Sequence, residues 1–131
     1  MKRTFVRSKI HRARVTDANL DYVGSISIDP ELMRAAGIEP FEFVHVNNVA
    51  NGKHWETYAI PGDAGDITLN GPPAHHFTPG DLVIILSFAE LEPFEIHSFM
   101  HTTVFVDENN ARTSTWGKQV GAAMPPPVDS F

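Results

Sequence analysis

The chain has 131 residues, enough for one ordinary core and too few for two. Hydrophobic residues make up 42% of it and charged residues 20%, the balance of a folded domain and not of a disordered one. Its 10 Lys and Arg against 16 Asp and Glu leave a net charge of -6, which argues against a nucleic-acid backbone as main partner, and the lack of Cys removes disulfides, thiolate metal sites and Cys nucleophiles.

No apolar run approaches the length of a membrane span. Met1–Arg14 carries Lys2, Arg3, Arg7, Lys9, Arg12 and Arg14 and lacks the apolar stretch of a secretory signal. These basic positions read as solvated sites on a strand. A cytoplasmic protein with no nucleic-acid and no membrane partner is expected.

In chain order, Phe5–Val15 mixes apolar and basic residues and reads as a strand. Tyr22–Ile28 reads as another, with Val23, Ile26 and Ile28 apolar. Asp29 suits a helix N-cap, Pro30 the first helical position and Gly37 the stop, so a short helix is predicted over 31–36. Phe41–Val46 alternates apolar and polar residues. Asn51-Gly52 is the strongest hairpin signal in the chain, with Trp55–Ile60 as the returning strand. Asp63–Gly65 reads as a turn, Ile67–Leu69 as a short strand, and Asn70-Gly71-Pro72-Pro73 as another turn. Leu82–Phe88 is a near-continuous apolar run, expected to be buried on both faces. His101–Val106 is the last predicted strand. Past Arg112 the periodicity fades, and the end with Pro125-Pro126-Pro127 is expected to be a loose tail or an arm on a neighbouring subunit. Many short strands between turn signals predict an all-β barrel or sandwich.

The histidines suggest no metal site. His75 and His76 would point to opposite faces of a strand, and His97 and His101 would share a face only on a helix. A Ser/His/Asp triad assembles through space and stays open, but no G-x-S-x-G elbow and no phosphate loop is present. Gly24-Ser25 by itself is a small-residue pair of the kind found in turns. Its surroundings add interest: a tyrosine just before it, Lys9, His11 and Arg12 on one strand candidate, Thr57 and Tyr58 on another.

Those residues resemble the pyruvoyl-dependent aspartate 1-decarboxylase family. The matching segments are Lys9-Ile10-His11-Arg12, Val15-Thr16, Tyr22-Val23-Gly24-Ser25, Ile28-Asp29, Ala35-Ala36-Gly37-Ile38, Asn51-Gly52-Lys53 and Thr57-Tyr58-Ala59-Ile60. Asn70-Gly71, Gly80–Ile85, Ser87-Phe88 and Val104–Asn110 complete a series that runs in order over roughly the first 110 residues. The resemblance implies a six-stranded double-psi β-barrel with short helices, residues 1–112 as the domain and 113–131 as a tail. It also implies a homotetramer with active sites between subunits, and a maturation factor is a possible further partner.

It further implies self-cleavage, in which the Ser25 hydroxyl attacks the Gly24 carbonyl and gives an ester. Elimination and hydrolysis leave a β-chain 1–24 and an α-chain 25–131 that begins with a pyruvoyl group, the covalent cofactor, with no metal. Gly24 lets its carbonyl be approached and its backbone be strained, and Ser25 is nucleophile and then leaving oxygen. Thr57 matches the donor to the oxyanion. The small-molecule amino-acid substrate condenses with the ketone as a Schiff base and loses its carboxylate into that electron sink. Tyr58 matches the proton donor, and phenols hold their proton at neutral pH. Lys9 meets a substrate carboxylate, His11 and Tyr22 shape the cleavage site, and Asn70 and Gly71 line the substrate.

Three pocket positions depart from the family pattern. His54 stands where the family holds a substrate carboxylate with arginine, so a permanent bidentate fork becomes an imidazole. Asn47 stands where the family usually has tryptophan. Pro72-Pro73 stand where small alanines approach the substrate, and prolines offer no N–H. Three readings follow: an aspartate decarboxylase making β-alanine for pantothenate, a homologue using the same chemistry on another amino acid, or an uncleaved barrel with a binding or regulatory role.

Overall fold

The computed structural model describes residues 1–21 and 23–120, so Tyr22 and the end of the chain from residue 121, Pro125-Pro126-Pro127 included, lie outside the described residues. The described strands are β1 (Arg3–Arg14), β2 (Asp17–Asn19), β3 (Ser25–Ile28), β4 (Phe43–Asn48), β5 (His54–Pro61), β6 (Ile67–Asn70), β7 (Leu82–Leu91), β8 (Met100–Val106) and β9 (Arg112–Gln119). Helix α1 (Pro30–Ala36) and two 3-10 helices, Pro72–His76 and Pro93–Ser98, complete the elements. Among the described residues no helix is long and apolar enough to cross a membrane.

The strands are hydrogen-bonded in the order β2-β6-β3-β5-β4-β7-β1-β8-β9. Ile10 of β1, Ile26 of β3, Leu69 of β6, Ile85 of β7 and Val104 of β8 all belong to one buried cluster. Strands so far apart in the order share a core only when the sheet curls around it, which is the all-β barrel class the sequence predicts. The order holds nine described strands where the resemblance implies a six-stranded barrel.

Local chemistry placed α1 correctly. Asp29 Oδ1 accepts from the Glu31 N–H at 2.8 Å, and Gly37 closes the helix at φ 69°. The same aspartate does more than cap. Its Oδ2 accepts from Gly65 N–H at 2.8 Å, and the Gly65 carbonyl in turn accepts from Asn110 Nδ2 at 3.0 Å. Asn110 also donates to the Arg14 carbonyl at 2.8 Å and accepts from the Arg14 N–H at 2.7 Å. One fully paired, buried amide therefore ties the end of β1 to two turns, which gives the Val104–Asn110 match a structural reason.

Several expectations change. Within Leu82–Phe88 only Val83, Ile85 and Ser87 are buried, while Leu82, Ile84, Leu86 and Phe88 are half-buried. The strand lies between β1 and β4, so one face meets the core and the other looks outward. Residues 113–119, expected in the tail, belong to β9, which pairs antiparallel with β8 from Met100↔Gln119 to Val106↔Arg112. Its side chains are mostly exposed, so ladder hydrogen bonds and not a buried face hold it, and that leaves no apolar period to read. Asn70-Gly71-Pro72-Pro73 is more than a turn, because Pro72 opens a 3-10 helix that includes His75 and His76. Of the strand predicted over 22–28, β3 keeps only Ser25–Ile28.

Candidate active site

β3 runs between β6, antiparallel, and β5, parallel. At its head Ser25 pairs with Asn70 of β6. Ser25 is 4% exposed, and its Oγ accepts from Asn70 Nδ2 at 2.9 Å. The same amide donates to Ser27 Oγ at 3.1 Å. Asn70 thus spends both amide protons on the two serines of β3 and sets the direction of the Ser25 hydroxyl oxygen.

β5 adds two groups through its register with β3, in which Ile26 pairs with Ala59. Thr57 and Tyr58 directly precede Ala59 on β5, as Gly24 and Ser25 precede Ile26. Thr57 is buried and Tyr58 half-buried, as alternation along a strand requires. The Tyr58 ring stacks on Phe41, centroids 5.6 Å apart and planes 20° apart.

At Gly24 φ lies outside the left-handed region, and an added Cβ would meet nothing nearer than the Asn70 carbonyl oxygen at 4.0 Å. Gly71, with φ 86° and ψ -159°, takes a conformation that only glycine adopts readily, and its N–H donates to the Asn19 carbonyl at 2.7 Å. Pro72 and Pro73 then fill the first two positions of the 3-10 helix, where N–H groups have no intrahelical partner.

A second group of predicted residues lies on the outward face of β1, β7, β4 and β5. Successive pairings Lys9↔Leu86, Leu86↔His45 and His45↔Glu56 form one cross-strand row. The neighbouring row holds Ile84, Asn47 and His54. Asn47 and His54 meet directly, Oδ1 to Nδ1, at 2.6 Å, and His54 Nε2 lies 3.1 Å from Glu56 Oε2. Two departures from the family pattern are therefore one contact. Burial lowers the pKa of Lys9 from its ordinary 10.5. His11 is 3% exposed and packs edge-on against Phe105 at 5.6 Å.

Within one chain the two groups are separate in the ladder. β1, with Lys9 and His11, lies beyond β5, β4 and β7 from β3. The structure joins Ser25 to Asn70 and Asn47 to His54 and sets Thr57 and Tyr58 on the strand next to β3, but it does not bring Lys9 or His11 beside Ser25 in the sheet order. Tyr22 is outside the described residues. His45 and Glu56 are polar neighbours of His54 that sequence reading did not single out, because only the hairpin register brings them together.

These features define a single-core, all-β, barrel-type protein whose candidate centre is a Gly-Ser junction at the head of a strand. The family model described as aspartate decarboxylase matches residues 1–113. An aspartate 1-decarboxylase of Hydrogenobaculum sp. is 52% identical over 110 residues, covering 84% of this chain and 88% of the relative. One from Salinibacter ruber is 52% identical over 117 residues, covering 88% and 80%. One from Corynebacterium efficiens is 47% identical over 127 residues, covering 95% and 93%. The chain belongs to the aspartate decarboxylase family.

Proposed function

We propose that this chain is a carboxy-lyase that converts L-aspartate to β-alanine and CO2, after cutting itself between Gly24 and Ser25 to form a pyruvoyl group at position 25. The observation that carries this reading is the Ser25 hydroxyl, buried directly after Gly24 and held by Asn70 Nδ2 at 2.9 Å. In processing, Ser25 Oγ forms a bond to the Gly24 carbonyl carbon and the Gly24–Ser25 C–N bond breaks, leaving an ester and a free amine. The open space at Gly24 supports that approach. The Thr57 hydroxyl, on the strand beside β3, is the donor for the oxyanion.

A pyruvoyl group fits this place because Ser25 supplies its three carbons and the Gly24–Ser25 peptide bond is the one to be broken. When formed, it supplies a ketone that accepts the substrate amine and the electron pair left by the departing carboxylate. Tyr58, one strand away, delivers the replacement proton from its hydroxyl. Lys9 presents an ammonium to a substrate carboxylate.

We place the centre between subunits of a homotetramer, as the resemblance implies. Exposed apolar side chains on the same outward face, Phe43 at 52% exposed, and on its flank, Phe41 at 75%, support a face that another copy covers. A maturation factor enters only if cleavage needs help.

Intact-mass analysis tests the processing claim. The purified protein should resolve into chains 1–24 and 25–131, and Ser25→Ala should stay whole. A single full-length mass after prolonged incubation overturns the claim. Borohydride with aspartate should then add one substrate to the larger chain, with β-alanine and CO2 released in equal amounts. The His54–Asn47 contact favours a second reading, in which another amino acid is the substrate. Trapping by other amino acids and not by aspartate would select it.

A further inference from the structure

The outward face of the β4–β5 hairpin brings two imidazoles and a carboxylate together. Ligand atoms of His45, His54 and Glu56 all lie within 4.8 Å of one another. Glu56 Oε2 is 3.1 Å from His54 Nε2 and 3.9 Å from His45 Nε2. His54 Nδ1 is 2.6 Å from Asn47 Oδ1, and an amide oxygen only accepts, so Nδ1 donates and Nε2 is the ring atom that faces Glu56.

We propose that His45, His54 and Glu56 bind a divalent transition ion of the zinc class. Zinc bonds of about 2.0–2.1 Å in a tetrahedron set neighbouring ligand atoms roughly 3.3 Å apart. The distances from Glu56 Oε2, 3.1 and 3.9 Å, bracket that value. Two imidazoles select zinc, nickel, cobalt or copper over magnesium and calcium. Asn47 is the positioning residue, because its hydrogen bond to Nδ1 leaves Nε2 for the metal. The His45 ring is oriented by Phe88 at 4.5 Å and Phe43 at 5.3 Å between centroids. His45, Phe43 and Phe88 also line a groove of about 310 Å³. A sequence reading that paired histidines only within one helix or strand expects no metal. This site is made across two strands.

Metal binding here stands apart from the decarboxylase reading. If that reading also holds, the ion restores at position 54 the positive charge that the family's arginine carries, and its open position takes a carboxylate. The test uses the full-length purified protein, stripped with a chelator and titrated with Co(II), then with Zn(II). One saturating Co(II) per chain is expected, with ligand-field absorption in the visible that Zn(II) abolishes. His54→Ala and Glu56→Gln should each remove saturable binding with the circular dichroism spectrum unchanged. Asn47→Ala should keep the stoichiometry and weaken the affinity about ten- to a hundredfold. His75→Ala should bind as the parent does. No saturable binding, or binding unaltered in His54→Ala and Glu56→Gln, overturns the proposal. So does a His54 ring that NMR finds doubly protonated and unmoved by added metal. Loss of turnover with intact metal binding would count against the decarboxylase reading and not against the site.

Discussion

Replacing Asn70 with alanine should slow self-cleavage without preventing folding. The Asn70 amide donates to Ser25 Oγ at 2.9 Å and to Ser27 Oγ at 3.1 Å. Only the first contact positions the attacking atom. A neutral hydrogen bond of this kind contributes about 1 kcal/mol, so losing that positioning slows the step roughly fivefold. The second contact supports β3 alone and is worth about 1 kcal/mol of stability. Ser27→Ala therefore separates the two effects, since it removes the structural bond and leaves Ser25 engaged. The assay is a time course of intact mass on freshly made precursor, with thermal unfolding measured in parallel. Asn70→Ala should cleave slowly and melt somewhat lower, while Ser27→Ala should melt somewhat lower and cleave at the parent rate. Parent-like cleavage in a folded Asn70→Ala protein would refute the positioning argument. Equal slowing in both variants would refute it as well, by making the effect one of strand stability.

Further outcomes are expected elsewhere. Asn110→Asp should destabilise the fold by about 3 kcal/mol in urea unfolding, because a carboxylate has no proton for the Arg14 and Gly65 carbonyls. Unchanged stability would show that this amide does not join the turns. Burial holds Lys9 below its ordinary pKa of 10.5, so the folded chain loses that proton at lower pH than the unfolded chain. Between the folded value and 10.5 the unfolded state binds more protons, and stability from this group rises with pH. The stability of the parent relative to Lys9→Met should therefore climb across that window and stay level below it, and a flat difference contradicts the assignment. In metal-stripped protein, His54→Arg should raise kcat/KM for aspartate about tenfold or more by returning a fixed charge. No gain would move the limit on aspartate use to Asn47 or to Pro72-Pro73.

What the sequence determined on its own was local. Asp29, Pro30 and Gly37 specify α1 because an N-cap, a first-turn proline and a left-handed stop act within a few residues. Gly24-Ser25 and its ordered neighbours are legible because a cleavage site needs adjacent residues in the chain. Strands β2 and β9 were not legible, since each is short or polar and is held by a partner distant in sequence. The outward face of β7 was misread because an apolar residue looks the same whether the core or another surface covers it.

The β4–β5 face shows what the tertiary structure alone decided. Asn51-Gly52 marks a hairpin, and a two-residue loop there would pair residue 50 with 53 and oppose Asn47 to Glu56. The actual loop is longer: the Asn48 N–H donates to the Lys53 carbonyl at 2.8 Å, leaving 49–52 between the strands. That shift of two keeps every side chain on its face and changes its partner, so Asn47 meets His54 and His45 meets Glu56. Strand periodicity encodes which side a residue faces, and register, set by loop geometry and the packing of β4 against β7, encodes what it touches. The Gly-Ser junction is legible because its residues adjoin in the chain, and the His45, His54 and Glu56 cluster exists only in the folded sheet because register makes it.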